Sequence, residues 1–525
     1  MGLQGTISPH IGNLSFLVYL NLRNNSFFGS LPHEISRLHR LRILRLSSNL
    51  LEGSIPPTLH NCRNLREIHL STNHLTGPIP STLANMSLLE VLNLQYNSPT
   101  GPFPLVIFNV SSLAIISLTG NHISGTLPMD LCRHCPNLQG LFLSDNKFNG
   151  RLPSQMNYCG EVVILGLSYN KFDGSIPEGF QSLEKLEVLE LGGNNLTGNI
   201  PPTISNLSRL SPFAIEDNNI KGSIPRDLWW LPNLSQFACD SNYLTGVIPQ
   251  YIFNISSLQE IALANNSLSG NLPSDSGFSC PNLEYLLFAV NKFSGPIPSY
   301  LSNCSKLVLI DFASNILSGP IPKSIGHLKY LRILNLDENQ LTGEPGDQKL
   351  NFLSSFSNCR VLEHLAISYN PLDITIPDSI GNFSTTLHTF LLFGSKIKGH
   401  IPMSIGFLKN FTWLGLRNNN LTENIPSTIG GLEGLQRLEL GDNKIEGFIP
   451  EDEDMVAHVG DFDIAKILVE NKDATQTKTL GTLGYILPGL KCSKELPDER
   501  VNIKDVLVKL KKIQVKLFEN RNDGV

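Results

Sequence analysis

The 525-residue sequence predicts an α/β repeat solenoid, a horseshoe or superhelix with a long concave parallel β-sheet. Three observations carry the prediction. A unit of 24 or 25 residues recurs in register, its apolar side chains alternate at period two, and Gly and Pro return at fixed places in each copy. The unit aligns on Asn25 and returns at Asn49, Asn73, Asn97, Asn121, Asn146 and onward to Asn443, eighteen copies in all. Ser395 is the one replacement of that Asn, and the step from Asn339 to Asn370 is 31 residues long.

Each position has a physical reason. Apolar residues five and three before the Asn (Leu20 and Leu22, then Leu44 and Leu46) face inward from a short strand, while the intervening residues face solvent. One repeat cannot bury these leucines alone, but stacked neighbours can. The Asn amide both donates and accepts, so it can satisfy turn groups that burial would otherwise orphan. Gly four residues later permits a positive φ or close approach, and Pro seven residues later fixes φ in the convex segment. Gly is broken only at Ile374 and Glu423, and Pro only in the long repeat. The pattern L-x-x-L-x-L-x-x-N-x-L-x-G-x-I-P is similar to the plant-specific class of leucine-rich repeats.

The chain opens inside a repeat, with Leu3-x-Gly5-x-Ile7 reading as the convex half of a unit whose strand is absent. Its first residues show no basic and apolar leader of the secretory type, and no run approaches the ~18 apolar residues of a membrane span. Extra residues around Gly343-Glu344-Pro345-Gly346-Asp347 in the 31-residue unit are expected to form a surface loop. The predicted domains are 1–450, the solenoid without an N-terminal cap, and 451–525. The boundary follows composition: 26 of the last 75 residues are charged, against 16% for the whole chain. An apolar stripe of Ile503, Val506, Leu507, Leu510, Ile513 and Leu517 predicts a helix there.

Within this tail, His458-Val459-Gly460-Asp461-Phe462-Asp463 resembles the magnesium-binding segment of a protein kinase, and Thr475 to Tyr485 resembles the activation loop that follows it. The piece 455–489 thus looks like an activation segment, and 495–518 like the final helix of a kinase large lobe. Together with the repeats, the chain resembles plant leucine-rich-repeat receptor-like serine/threonine kinases of the immune-receptor subfamily, with only a degenerate kinase remnant. A kinase needs a Gly-rich loop over the phosphates, a strand lysine and an H-R-D loop, and none is present. Asp461 matches the metal-binding Asp, but Asp463 replaces the Gly of D-F-G. No catalysis and no cofactor are therefore expected.

A formal charge of −6 gives no basic bias toward nucleic acid. Cys132-Arg133-His134-Cys135 lacks the second pair that a zinc site requires. Cys62, Cys280, Cys304 and Cys359 read as small buried hydrophobes, with a local disulfide the alternative around Cys132, Cys135 and Cys159. Thirteen N-x-[ST] sequons, the glycosylation candidates, fall at Asn13, Asn24, Asn85, Asn109, Asn195, Asn206, Asn233, Asn254, Asn265, Asn303, Asn382, Asn410 and Asn420.

Function is expected on the concave face, at positions six, four, two and one before each lattice Asn. Tyr285, Leu287, Ala289 and Val290, with Ala262, Ala264, Leu309 and Ala313 beside them, form a candidate apolar ligand-binding patch. Glu190, Glu216, Asp217 and Asp240 lay an acidic field on its N-terminal side. The expected partner is a peptide or protein; the resemblance adds a co-receptor kinase ectodomain, and a place at the extracellular face of the plasma membrane in pathogen recognition. The rival readings are the serine/threonine kinase of the parent family and a secreted inhibitor of microbial wall-degrading enzymes. Ser395 is expected to be a weak rung, because a hydroxyl cannot match an amide's hydrogen bonds.

Overall fold

A computed structural model describes residues 2–273, 280–346 and 349–447. The tail pieces 455–489 and 495–518, with Asp461, Phe462 and Asp463, lie outside the described residues.

Each repeat contributes one three-residue strand to a parallel ladder of eighteen strands, running from Tyr19–Asn21 through Ile43–Arg45 and Glu67–His69 to Arg437–Glu439. The register is direct: Tyr19 faces Ile43, Leu20 faces Leu44 and Asn21 faces Arg45. Each strand pairs with its neighbours in sequence order, and no pairing returns from Arg437–Glu439 to Tyr19–Asn21, so the ladder is open at both ends. Lattice leucines such as Leu44, Leu46, Leu70 and Leu94 are buried. Where the core is wider, phenylalanines stack from repeat to repeat, with Phe148–Phe172 centroids 6.3 Å apart and Phe288–Phe312 centroids 5.6 Å apart.

A second parallel ladder runs along the flank. Its nine-stranded part begins at Gln4–Thr6, Ser26–Ser30 and Leu50–Ser54. The lattice Gly sits within it in the left-handed region: φ is +76° at Gly29 and +77° at Gly198. Glu423 adopts the same conformation without being Gly, at φ +64°.

The convex segments refine the α/β expectation. They are 3₁₀ helices, such as His33–Arg37 and Pro57–Asn61, and no α-helix occurs among the described residues. Most start behind the lattice Pro and close after five residues, as where Leu38 N–H returns to Ile35 C=O, which leaves no room for i→i−4 bonding.

Each lattice Asn joins its own turn to that of the preceding repeat. Asn73 Oδ1 accepts from Leu51 N–H at 3.0 Å, while its Nδ2 donates to Leu46 O, Leu70 O and Ser71 O at 3.1–3.2 Å. Ser395 departs from this arrangement. Its hydroxyl donates toward Ile367 O at 3.1 Å and Phe393 O at 3.0 Å. The N–H groups that an amide oxygen would have received turn elsewhere, Leu372 to Asn370 O at 2.8 Å and Asp373 to Ser395 O at 3.4 Å. The backbone thus takes over part of the amide's hydrogen bonding at this rung.

Thr342 ends the flank ladder before the long repeat, and Lys349 rejoins it through an isolated bridge to Thr375, so the extra residues are inserted between them. The chain then enters a longer 3₁₀ helix, Asn351–Asn358, which buries Phe352, Leu353 and Phe356.

The cysteines divide differently from the expectation. Cys132–Cys159 and Cys280–Cys304 are disulfides, with Cα atoms 5.0 and 4.7 Å apart, while Cys135 is a free buried thiol. Cys280 and Cys304 are therefore not simple packing residues. They occupy the same convex position of adjacent repeats, and stacking at strand spacing brings them within bonding range. Cys62 and Cys359 are buried free thiols, as expected.

Candidate ligand-binding face

The short strands and the turns that follow them display four lanes of side chains, but the lanes are not equivalent. The residue immediately before the lattice Asn is left-handed in every repeat, from Asn24 at φ +58° to Asp442 at φ +53°. Sequence reasoning missed this constraint, although the prevalence of Asn, Asp, Ser and Gly there is its signal. Thr72 and Val290 are the exceptions in chemistry: β-branched side chains at φ +55° and +56° are strained, and Val290 stands exposed. Three tyrosines at this position lie over glycines of the next repeat, Tyr96 on Gly120, Tyr169 on Gly193 and Tyr369 on Gly394.

The apolar patch is less open than its sequence suggests. Leu287 is 3% exposed and Leu309 is 4% exposed, and Ala262 and Ala289 are buried as well. Leu287 stands in register between Ala262 and Asp311, and Leu309 between Tyr285 and Ile333, at a spacing that lets neighbours shield one another. Tyr285 is half-buried and Val290 is 49% exposed.

The acidic residues are also unequal. Asp217 is exposed, Glu190 and Asp240 are half-buried, and Glu216 is buried over Gly192, where a side chain would collide with its carboxyl group. Asp240 Oδ1 accepts from Ala264 N–H at 2.9 Å. Two further carboxylates emerge beyond the patch. Burial pushes Asp311 up to about 6, and burial with the charge of Asp311 and Glu338 nearby pushes Asp337 up to about 6. Asp337 also accepts from Ser368 N–H, across the long repeat.

At the C-terminal end, Trp413 Nε1 donates to Glu439 Oε1 at 3.1 Å and the Arg437 guanidinium lies 4.5 Å from the Trp413 ring centroid. At the N-terminal end, Arg45 and His69 both meet Glu67 Oε2 at 3.0 Å. Of the sequons, Asn420 is half-buried and the other twelve asparagines are exposed. Asn85, Asn109, Asn206, Asn254, Asn303 and Asn382 each end a convex 3₁₀ helix.

The fold and its hydrogen-bonded Asn ladder define a leucine-rich-repeat protein. The Leucine Rich Repeat family matches residues 16–38, 40–62, 64–86, 161–183, 185–207, 361–383 and 410–432. The chain is homologous to plant leucine-rich-repeat receptor kinases. It is 38% identical over 89 residues to the LRR receptor-like serine/threonine-protein kinase EFR of Arabidopsis thaliana, a match covering 17% of this chain and 8% of that protein. It is 30% identical over 129 residues to Receptor-like protein 41 of the same plant, covering 24% of this chain and 14% of that one. The matched segments thus span a small part of these relatives. Among solved structures, the plant peptide hormone receptor RGFR1 in complex with RGF2 superposes at a TM-score of 0.76 and 30% identity, over 85% of this chain and 77% of that one. The Arabidopsis receptor kinase HAESA, in complex with the peptide hormone IDA and the co-receptor SERK1, gives a TM-score of 0.77 at 29% identity, over 86% and 74%.

Proposed function

We propose that the concave face binds an extended peptide or protein, and that the chain serves as the ligand-binding ectodomain of a plant receptor-type protein in recognition or signalling. The observation that carries this reading is the likeness, over more than four-fifths of the chain, to receptor ectodomains solved with peptide hormones. The lanes support it: variable polar, acidic and aromatic side chains sit on a regular ladder whose own stability resides in the leucines behind them. Tyr285 and Val290 form the apolar anchor, with Leu287 and Leu309 as its floor, and the acidic lane of Glu190, Glu216, Asp217 and Asp240 beside it selects basic residues. A co-receptor kinase ectodomain is the second partner, as SERK1 is for HAESA. The chain works at the extracellular face of the plasma membrane, its exposed sequons carrying glycans, and residues 451–525 are a separate, non-catalytic piece.

A random dodecapeptide display selection on the immobilised full chain tests this. Enriched sequences whose retention falls at least tenfold on Tyr285→Ala support the reading. Enrichment of no sequence overturns it. The kinase alternative is tested with radiolabelled ATP and a basic protein substrate: no phosphotransfer is expected, and turnover lost on Asp461→Ala would restore that alternative.

A further inference from the structure

Away from the concave face, the edge where convex helices turn into concave strands is unusually cationic in the second and third repeats. Residues 1–97 hold seven arginines, four glutamates and neither Lys nor Asp, although the whole chain has a formal charge of −6. Arg37 ends the convex helix His33–Arg37, Arg40 lies in the turn that follows, and Arg42 precedes the strand Ile43–Arg45. Arg63 takes the same turn one repeat later. All four are exposed, and none makes an ion pair or side-chain hydrogen bond among the described residues. The nearby carboxylates are engaged elsewhere: Glu34 with His33 at 3.3 Å, Glu67 with Arg45 and His69 at 3.0 Å, and Glu90 with Arg66. Glu52 lies on the flank strand Leu50–Ser54.

The arginines border a shallow cleft of about 330 Å³ lined by His39, Asn61, Arg63 and Asn64. Its wall is tied across the two repeats, with Asn64 Nδ2 donating to His39 O at 2.7 Å and His39 Nδ1 meeting Asn61 O at 3.3 Å. Asn64 Oδ1 and the Asn61 side-chain amide have no partner among the described residues. Sequons frame the same edge. Asn13 and Asn85 end convex helices on either side, whereas the equivalent positions between them are Arg37 and Asn61, neither in a sequon. The cationic window is two rungs wide, about 10 Å at the spacing of a parallel ladder.

Independently of the peptide-binding reading, we propose that this edge binds an acidic polysaccharide, a short run of uronic acids. Its carboxylates meet Arg37, Arg40, Arg42 and Arg63, whose planar guanidiniums pair with carboxylates through two parallel donors. Its hydroxyls, which both donate and accept, meet the Asn61 and Asn64 amides. A protein partner would look for an aromatic or aliphatic anchor, and a single-stranded nucleic acid for stacking platforms; no Phe, Tyr, Trp or aliphatic side chain lines the cleft. From Arg37 to Arg42 the chain spans at most about 17 Å, so only a few sugars make contact.

Binding of oligogalacturonate to the immobilised full chain, followed by biolayer interferometry, tests the assignment. Binding is expected and should weaken as salt rises. The fully methyl-esterified oligomer, which keeps its hydroxyls and loses its charge, should bind at least tenfold more weakly. Arg37→Gln/Arg40→Gln/Arg63→Gln should also lower the affinity at least tenfold, with circular dichroism confirming the fold. Arg209→Gln, at the equivalent turn of the ninth repeat, should leave it unchanged. Should the triple variant not fold, Arg40→Gln alone should give at least a threefold loss. Equal affinity for the ester, unchanged affinity on the edge variants, or an equal loss on Arg209→Gln overturns the site. Tighter binding of poly-glutamate or of single-stranded DNA overturns the polysaccharide and assigns the edge to that class instead. Binding of none of the three overturns the proposal and leaves the concave-face reading standing.

Discussion

The regular repeats around Asn73 and the irregular stretch from Asn339 to Ser395 solve one problem in two ways. Around Asn73, a single amide closes two consecutive turns with four hydrogen bonds, and Gly77 is left-handed four residues later. Around the long repeat, Gly343 is not left-handed, the flank ladder shrinks to isolated bridges, and a serine hydroxyl with rerouted backbone N–H groups replaces the amide. The comparison teaches that the solenoid requires its turn groups to be satisfied but does not require one residue to satisfy them. Where neighbours adapt together the lattice residue is dispensable; where they have not, its loss is costly.

The largest effect expected is therefore at a regular rung. Asn73→Ala strands the Leu51 N–H and removes one of two donors from each of the Leu46, Leu70 and Ser71 carbonyls, and should cost about 3 kcal/mol. Chemical denaturation would show it, and hydrogen exchange should quicken first at Leu51. A loss below about 1 kcal/mol would mean that regular turns reroute as readily as the irregular one.

A smaller effect is expected from the buried carboxylates next to the long repeat. Asp311 and Asp337 titrate at about 6 in the fold, against about 3.9 in an unfolded chain. The folded state holds more protons between those values, so their stabilisation is complete below about pH 3.9 and is lost as pH rises through 6. Asp311→Asn should leave stability near pH 4 unchanged and raise it by about 2 kcal/mol at pH 7. Parallel pH profiles of the melting midpoint would contradict this.

Glycine distinguishes the two regions more finely. Gly101 is left-handed at φ +85° with open space around its Cα, so Gly101→Ala should cost about 1 kcal/mol by backbone strain alone. Gly343→Ala has no φ strain; its Cβ would press on Ile374, 2.9 Å from Cδ1 and 3.2 Å from Cγ2, and a small shift of that side chain should keep the cost below that of Gly101→Ala. Equal losses would erase the distinction. The smallest effect is at the serine rung: Ser395→Asn should shift stability by no more than about 0.5 kcal/mol, since no group awaits an amide there. A clear gain would show that the rerouted Leu372 and Asp373 bonds are a poor substitute.

Much of this protein was settled by its sequence. The strands, the buried leucine lanes, the stacking order and the Asn ladder follow from a strict period, because each repeat packs only on its neighbours and one solution repeats eighteen times. The candidate face was legible as a set of lanes for the same reason. What only the tertiary structure decided are properties of neighbours rather than of positions. Leu287 and Leu309 are covered by cross-strand partners, and Cys280 reaches Cys304 only once two repeats are stacked. The residue before each Asn must be left-handed, and the hydrogen bonds missing at Ser395 were supplied by a backbone 22 and 23 residues earlier. A period predicts which residue recurs where; burial, pKa and hydrogen-bond satisfaction depend on which side chains the adjacent repeats place against it.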